Sequence, residues 1–271
     1  MSQKKTVNGF DKLVESLVSE FLKVPSFKLL QDTEDGKKMF NMIMFRVSDI
    51  SSYRDLICNQ FIPVVNKTIV LARQDVRASR YKEFLNEKEI AFEETLHDVI
   101  RLAYVGLFHK LEAFMEDLLK VPEYLFFDLL NKDVSVDKWV NDKYGFKFKD
   151  WRRFYITNRV NWICNCVKHY DGFPLKVPKP AGFEFHSENK RLVLTRENFR
   201  KDCDELLKFY PLFIQTVIVL CMTKMIFDTF QSSNGLGVMI PDEQAHLGKM
   251  DNLARKFMQS LESLDKNNYS H

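Results

Sequence analysis

Asn165 and His169 stand four residues apart near the end of an apparent helix, in the run Asn165-Cys166-Val167-Lys168-His169-Tyr170-Asp171-Gly172. That spacing places an amide and an imidazole on one helix face. An imidazole titrates near neutrality and can move protons, and a neighbouring amide can orient it or a phosphate. Lys168 and Arg159 lie on the same predicted helix, and Lys149, Arg152 and Arg153 lie close to its start. Tyr144, Phe146, Phe148, Trp151, Phe154, Tyr155 and Trp162 alternate with these cations. Cations neutralise phosphates and aromatic rings stack on bases, so the stretch reads as a candidate RNA surface. A helix built only to pack shows the same alternation, with the rings in a core and the charges in solvent. His169 equally suits a helix terminus, where it satisfies carbonyls and the local dipole. Asn165 equally suits a buried amide bonded to a neighbouring helix.

Other chemistries find less support. Glu94-x-x-His97 and Glu243-x-x-His246 each have a spacing that di-iron helix bundles use twice. The second pair follows Pro241 in a linker-like region, and the further glutamates such a site needs cannot be assigned, so no metal is expected. There is no Gly-rich phosphate loop, no nucleophile elbow and no Ser-His-Asp set. No cofactor is expected. The five cysteines (Cys58, Cys164, Cys166, Cys203, Cys221) include no Cys-x-x-Cys pair. An odd, unpaired set of this kind fits a reduced, cytoplasmic compartment.

These residues need a scaffold, and the composition points to a helical one. The 271 residues include 24 Phe but only 9 Gly and 8 Pro, so long helices are favoured over a turn-rich β fold. The formal net charge of +3 is mild and does not by itself announce a nucleic-acid binder. Phe10, Leu13, Val14, Leu17 and Phe21 recur at helical spacing, and Pro25 closes that first helix. A second helix is expected over roughly 37–47, a break at Ser48–Tyr53, and a third helix from Arg54 with a kink or restart at Pro63. One long helix or two stacked ones should cover 78–119, ending at Pro122, with Leu102, Val105 and Phe108 on its apolar face. A short helix at 136–143 and a turn at Tyr144-Gly145-Phe146 lead into the motif helix, expected over 149–169.

Pro174, Pro178, Pro180 and Gly182 make the next segment irregular, and Phe183–Phe185 and Arg191–Leu194 are placed to form a small β-hairpin. Thr195 is a good N-cap for a helix running to about Phe230. Its greasiest part has about 15 uncharged residues between Lys208 and Lys224, short of the roughly 20 that span a bilayer, and reads as a buried helix. After a linker, a last amphipathic helix carries Met250, Ala254, Phe257, Leu261 and Leu264. It could pack on the core or dock a partner.

From about residue 85 to 230 the order of elements resembles the HEPN family, all-helical domains that include RNA-cutting toxins and defence proteins. The resemblance rests on the pattern Phe108-His-Lys-Leu-Glu112-Ala-Phe114, the segment ending Lys143-Tyr-Gly-Phe146, and the motif helix ending Asn165-x-x-x-His169. It implies an all-α, up-and-down bundle with a hairpin insertion. On that reading, 1–75 is an N-terminal helical extension, 76–230 the HEPN-like core, and 231–271 a linker and C-terminal amphipathic helix. In active relatives, His and Arg from two protomers drive metal-independent RNA cleavage by attack of the 2′-OH on the adjacent phosphate. The resemblance therefore makes His169 the proton-transfer residue and Asn165 its flanking polar residue.

The family's Arg position is Cys164, which supplies no fixed charge. Loss of a transition-state donor commonly costs about two to three orders of magnitude in rate. Neither Lys168 nor Arg159 occupies the matching position. The leading expectation is an RNA-associated module of a defence or toxin–antitoxin type system with a degenerate catalytic motif. The alternatives are an active endoribonuclease using His169 and a purely structural interaction subunit. The expected partners are RNA and either a second copy of the chain or another protein, without membrane association.

Overall fold

The computed structural model describes residues 34–84, 92–126, 134–233 and 241–267. The described chain is predominantly helical and contains no strand. Its helices are α1 (Glu34–Leu56), α2 (Ile62–Ala78), α3 (Phe92–Phe126), α4 (Val136–Tyr144), α5 (Tyr155–Tyr170), α6 (Arg196–Ser233) and α7 (Pro241–Asn267). A π-helical turn, Ile57–Phe61, precedes α2, and a 3-10 turn, Phe148–Arg153, precedes α5. The all-α class expected from composition is the class observed.

Several helix ends follow directly from sequence. Ser135 caps α4 by accepting from the Lys138 N–H, and Gly145 closes it at φ 68, a conformation that costs only glycine nothing. Thr195 caps α6 reciprocally: its hydroxyl accepts the Asn198 N–H at 3.1 Å while the Asn198 side chain accepts the Thr195 N–H at 3.0 Å. Pro63 follows the π-helical turn directly with the backbone helical on both sides (Phe61 φ -63, ψ -53), and the wider π turn accommodates the N–H that proline lacks.

Other boundaries differ from expectation. Helix α1 runs unbroken through Ser48–Tyr53 and α3 continues past Pro122. A proline removes one ladder bond, and the rest of a long helix can carry that loss. The motif helix begins at Tyr155, because Phe154 is extended at ψ 144 after the 3-10 turn. The expected hairpin is not formed: Phe183 and His186 close turns, and 191–195 is loop without a strand ladder. The first expected helix, at 10–25, lies outside the described residues.

The chain divides into two compact units that interleave along the sequence. One comprises the described residues within Met1–Ser48, Glu112–Thr157 and Leu206–His271, and the other those within Asp49–Leu111 and Asn158–Glu205.

The first unit is built on aromatic packing. Phe114 and Tyr210 stack with centroids 3.6 Å apart, and Phe146, Phe154, Phe209 and Phe213 form a continuous cluster. Helix α7 buries Met250, Ala254, Met258 and Leu261, so within this unit it packs as core. Asp251 fixes it further, accepting from the Tyr144 hydroxyl at 2.9 Å and pairing with Lys143 and Arg255. The stretch Arg196–Met225 of α6 is long and apolar enough to cross a membrane, yet most of its greasiest window is buried in the fold.

The second unit mixes rings with buried charge. Phe199 packs edge-on against Tyr53 and Tyr104. Gly106 makes room for this arrangement, since a Cβ there would overlap the Tyr53 ring. Trp162 is fully buried, packs on Phe183, and donates its indole N–H to the Lys176 carbonyl at 2.7 Å, which holds the Pro-rich loop onto α5.

Candidate functional site

The end of α5 is where the sequence places its chemistry, and the second unit positions it through α3 and the loop after α5. Asp171 (φ 52) and Gly172 (φ 82) turn the chain out of the helix, and the Gly172 N–H returns to the Cys166 carbonyl at 3.0 Å. The Gly172 carbonyl then accepts the Leu192 N–H at 2.8 Å. Beneath this turn lies Arg101 of α3, which is only 2% exposed. Its Nε donates to the Leu192 carbonyl at 2.9 Å, and its Nη1 pairs with Glu94 at 2.7 Å and Asp98 at 2.5 Å. Gly172 approaches so closely that a Cβ would lie 3.0 Å from the Arg101 Cδ. Arg191 bridges Glu94 and Asp171, adding a second cation to the same cluster. The Arg101 hydrogen bond holds the Glu94 carboxyl below the usual carboxylate range.

On α5 itself, the Asn165 side-chain amide donates to both the Asn161 carbonyl and the Asn161 side-chain oxygen, at 2.7 Å each. It turns back along its own helix. Lys168 and His169 are exposed in the last turn. Cys164 is buried, at 1% exposure, so the position that would carry the family's Arg faces the core. Cys166 is buried too, and burial pushes its thiol pKa up.

Arg159 cannot stand in for the missing cation. It is ten residues before His169, about 15 Å along the helix axis, and it pairs with Asp202 of α6 at 3.1 Å while lying over the Phe183 ring. Asp202 also accepts from the Tyr104 hydroxyl at 2.6 Å. Burial raises the Asp202 pKa to about 6 against the opposing pull of Arg159, and burial pushes Tyr104 well above its ordinary value.

The remaining candidates belong to the first unit. Arg152 is exposed and pairs with Glu112 at 3.5 Å; Arg153 is exposed and pairs with Asp150 at 3.5 Å. Lys149 lies in the 3-10 turn, and its side chain is outside the described residues. The structure thus brings Asn165, Lys168 and His169 together at one helix end, with Arg159 on the same helix but turned to Asp202. It assigns Arg152 and Arg153 to the other compact unit.

Glu94 and His97 do not act as a metal pair: Glu94 is held by two arginines, and His97 Nδ1 bonds the Leu194 carbonyl at 3.0 Å. The side chains of Glu243 and His246 lie outside the described residues. Among the described residues, no group of three His, Cys, Asp or Glu side chains is arranged to hold a metal ion.

The residues that sequence reasoning missed are Arg101, Arg191 and Asp202. One signal was available: Glu94, Asp98 and Arg101 are spaced by four and three, which puts them on one face of α3. No signal marked Asp202, which sits in the charged run Lys201-Asp202-Cys203-Asp204-Glu205 that resembles a solvated helix turn. Comparison with family models, curated proteins and solved structures returns no match for the chain.

Proposed function

We propose that this chain is an HEPN-like, RNA-associated module of a defence or toxin–antitoxin type system, with a motif helix that no longer catalyses cleavage. The observation that carries this reading is the burial of Cys164, which leaves Asn165 and His169 without a fixed cation at the matching position. Two further features support it. The Asn165 amide is engaged by Asn161, and Arg159 by buried Asp202. Lys168 and His169 remain exposed, suited to contact a phosphate without performing chemistry on it. Such a module would act in the cytoplasm as a homodimer or beside a protein partner.

The test is incubation of a mixed RNA pool in EDTA with wild-type protein and with His169→Ala, alongside a binding assay across a salt series. The expected outcome is no cleavage by either protein, and RNA binding that weakens steeply as salt rises. Cleavage by the wild type alone, leaving 2′,3′-cyclic phosphate ends, would show that the motif is active and overturn the degenerate reading. Binding indifferent to salt, or none, would favour an interaction subunit without nucleic-acid contact.

A further inference from the structure

The π-helical turn, α2 and the turn that follows it combine positive charge with a run of exposed apolar side chains. Between Phe61 and Phe84 stand Lys67, Arg73, Arg77, Arg80 and Lys82 against only Asp75 and Glu83; Arg73 pairs with Glu93 at 3.3 Å, which still leaves the patch positive. Within the same stretch Phe61, Val64, Val70, Leu71, Tyr81 and Phe84 are exposed, Val64 at 63% and Phe84 at 86%. Phe61, Val64 and Leu71 recur at spacings that align them along one side of the helix, and Lys67 sits between them in sequence. Ile62 alone is buried on α2. The turn after the helix is ordered: the Lys82 N–H bonds the Ser79 carbonyl at 3.1 Å, and the Phe84 N–H bonds the Tyr81 carbonyl at 2.9 Å. The backbone that carries its two exposed rings is therefore fixed.

We propose that Phe61–Phe84 is a docking surface for an anionic lipid bilayer, with its apolar side chains entering the headgroup–acyl boundary and its cations meeting the lipid charges. An amphipathic helix with cations beside a greasy stripe binds interfaces in this way. Charge complementarity selects an anionic partner, because a second copy of the chain would set one basic patch against another. The aliphatic side chains select lipid over nucleic acid. Bases stack on aromatic rings, whereas exposed Val64, Val70 and Leu71 gain nothing from a sugar–phosphate chain. Contact of this kind lies on the bilayer surface and needs no spanning segment. It goes beyond the RNA reading and does not rest on it.

The experiment is co-sedimentation of the full chain with vesicles of phosphatidylcholine alone and of phosphatidylcholine with about 30% phosphatidylserine, at low and high salt. Two variants accompany the wild type: Val64→Asp/Leu71→Asp, which removes the stripe, and Arg80→Glu/Lys82→Glu, which reverses local charge. All four substitutions fall on exposed side chains, and circular dichroism checks that each variant keeps its helices. The proposal expects at least about tenfold stronger binding to the anionic vesicles, loss of that preference at high salt, and about tenfold weaker binding by each variant.

Equal binding to both vesicle types, or to neither, overturns it. So does undiminished vesicle binding by Val64→Asp/Leu71→Asp. If that variant instead changes the oligomeric state of the protein, or lowers its affinity for RNA while vesicles do not bind, the surface serves another partner and the proposal falls. The RNA reading is judged separately by His169→Ala and stands or falls without these outcomes.

Discussion

The two compact units pair their most buried charges in different ways. In the first, Phe114, Tyr210, Phe146, Phe154, Phe209 and Phe213 pack ring against ring, and fully buried Lys224 pairs with Asp228 one turn along its own helix. In the second, ionisable groups go deep: Arg101 under the end of the motif helix, and Asp202 between Tyr104 and Arg159. Ring packing has geometric preferences but is indifferent to protonation. Buried charges demand partners at set distances, and their energies change with pH. In the second unit, which carries the exposed motif residues, those partners come from distant parts of the chain.

Three substitutions test that contrast by urea unfolding across pH. Phe213→Ala should cost the most, about 3–5 kcal/mol, through lost burial and a residual cavity. That loss should be the same at pH 4 and pH 7, and a strongly pH-dependent loss would break the comparison. Arg101→Met should cost about 2–4 kcal/mol at pH 7, since the stem remains but the Leu192 carbonyl and the Glu94 carboxylate lose their donor.

The folded pKa of Glu94 is lowered, so its contribution is present above its unfolded value and lost as pH falls through the folded one. The gap between wild type and Arg101→Met should accordingly narrow below about pH 4. Asp202→Asn should show the smallest effect and the opposite sign. The folded pKa of Asp202 is raised to about 6, so its stabilisation is complete below its unfolded value and disappears as pH rises through the folded one. Wild-type stability relative to Asp202→Asn should fall by about 1–3 kcal/mol between pH 4 and pH 7. A flat difference would show that Asp202 is ionised throughout, held so by Arg159.

The same contrast explains what was legible in the sequence. Local chemistry was readable: Ser135, Gly145 and Thr195 mark helix ends because caps and φ restrictions act within a few residues. The all-α class was readable because it sums over the whole chain. Side-chain placement at the site was not, because it depends on helix register against elements far away in sequence. Arg101 and Leu102 are the clearest case. The hydrophobic pattern assigned Leu102 to the buried face, yet Leu102 is 64% exposed and Arg101 is the residue inside. Only the Leu192 carbonyl, 91 residues away, and the acids Glu94 and Asp98 make that inversion stable. Cys164 poses the same problem in reverse: its identity was plain, but nothing local decided whether it faced the motif or the core.

The interleaving of the units has a genetic consequence. One unit is drawn from three stretches of chain and the other from two. No single crossover between related genes can therefore exchange one unit and leave the other whole, and a segment long enough to carry the motif helix carries pieces of both. Change in such a protein has to proceed by matched point substitutions rather than by the shuffling of modules. The two interiors are bound to be inherited together.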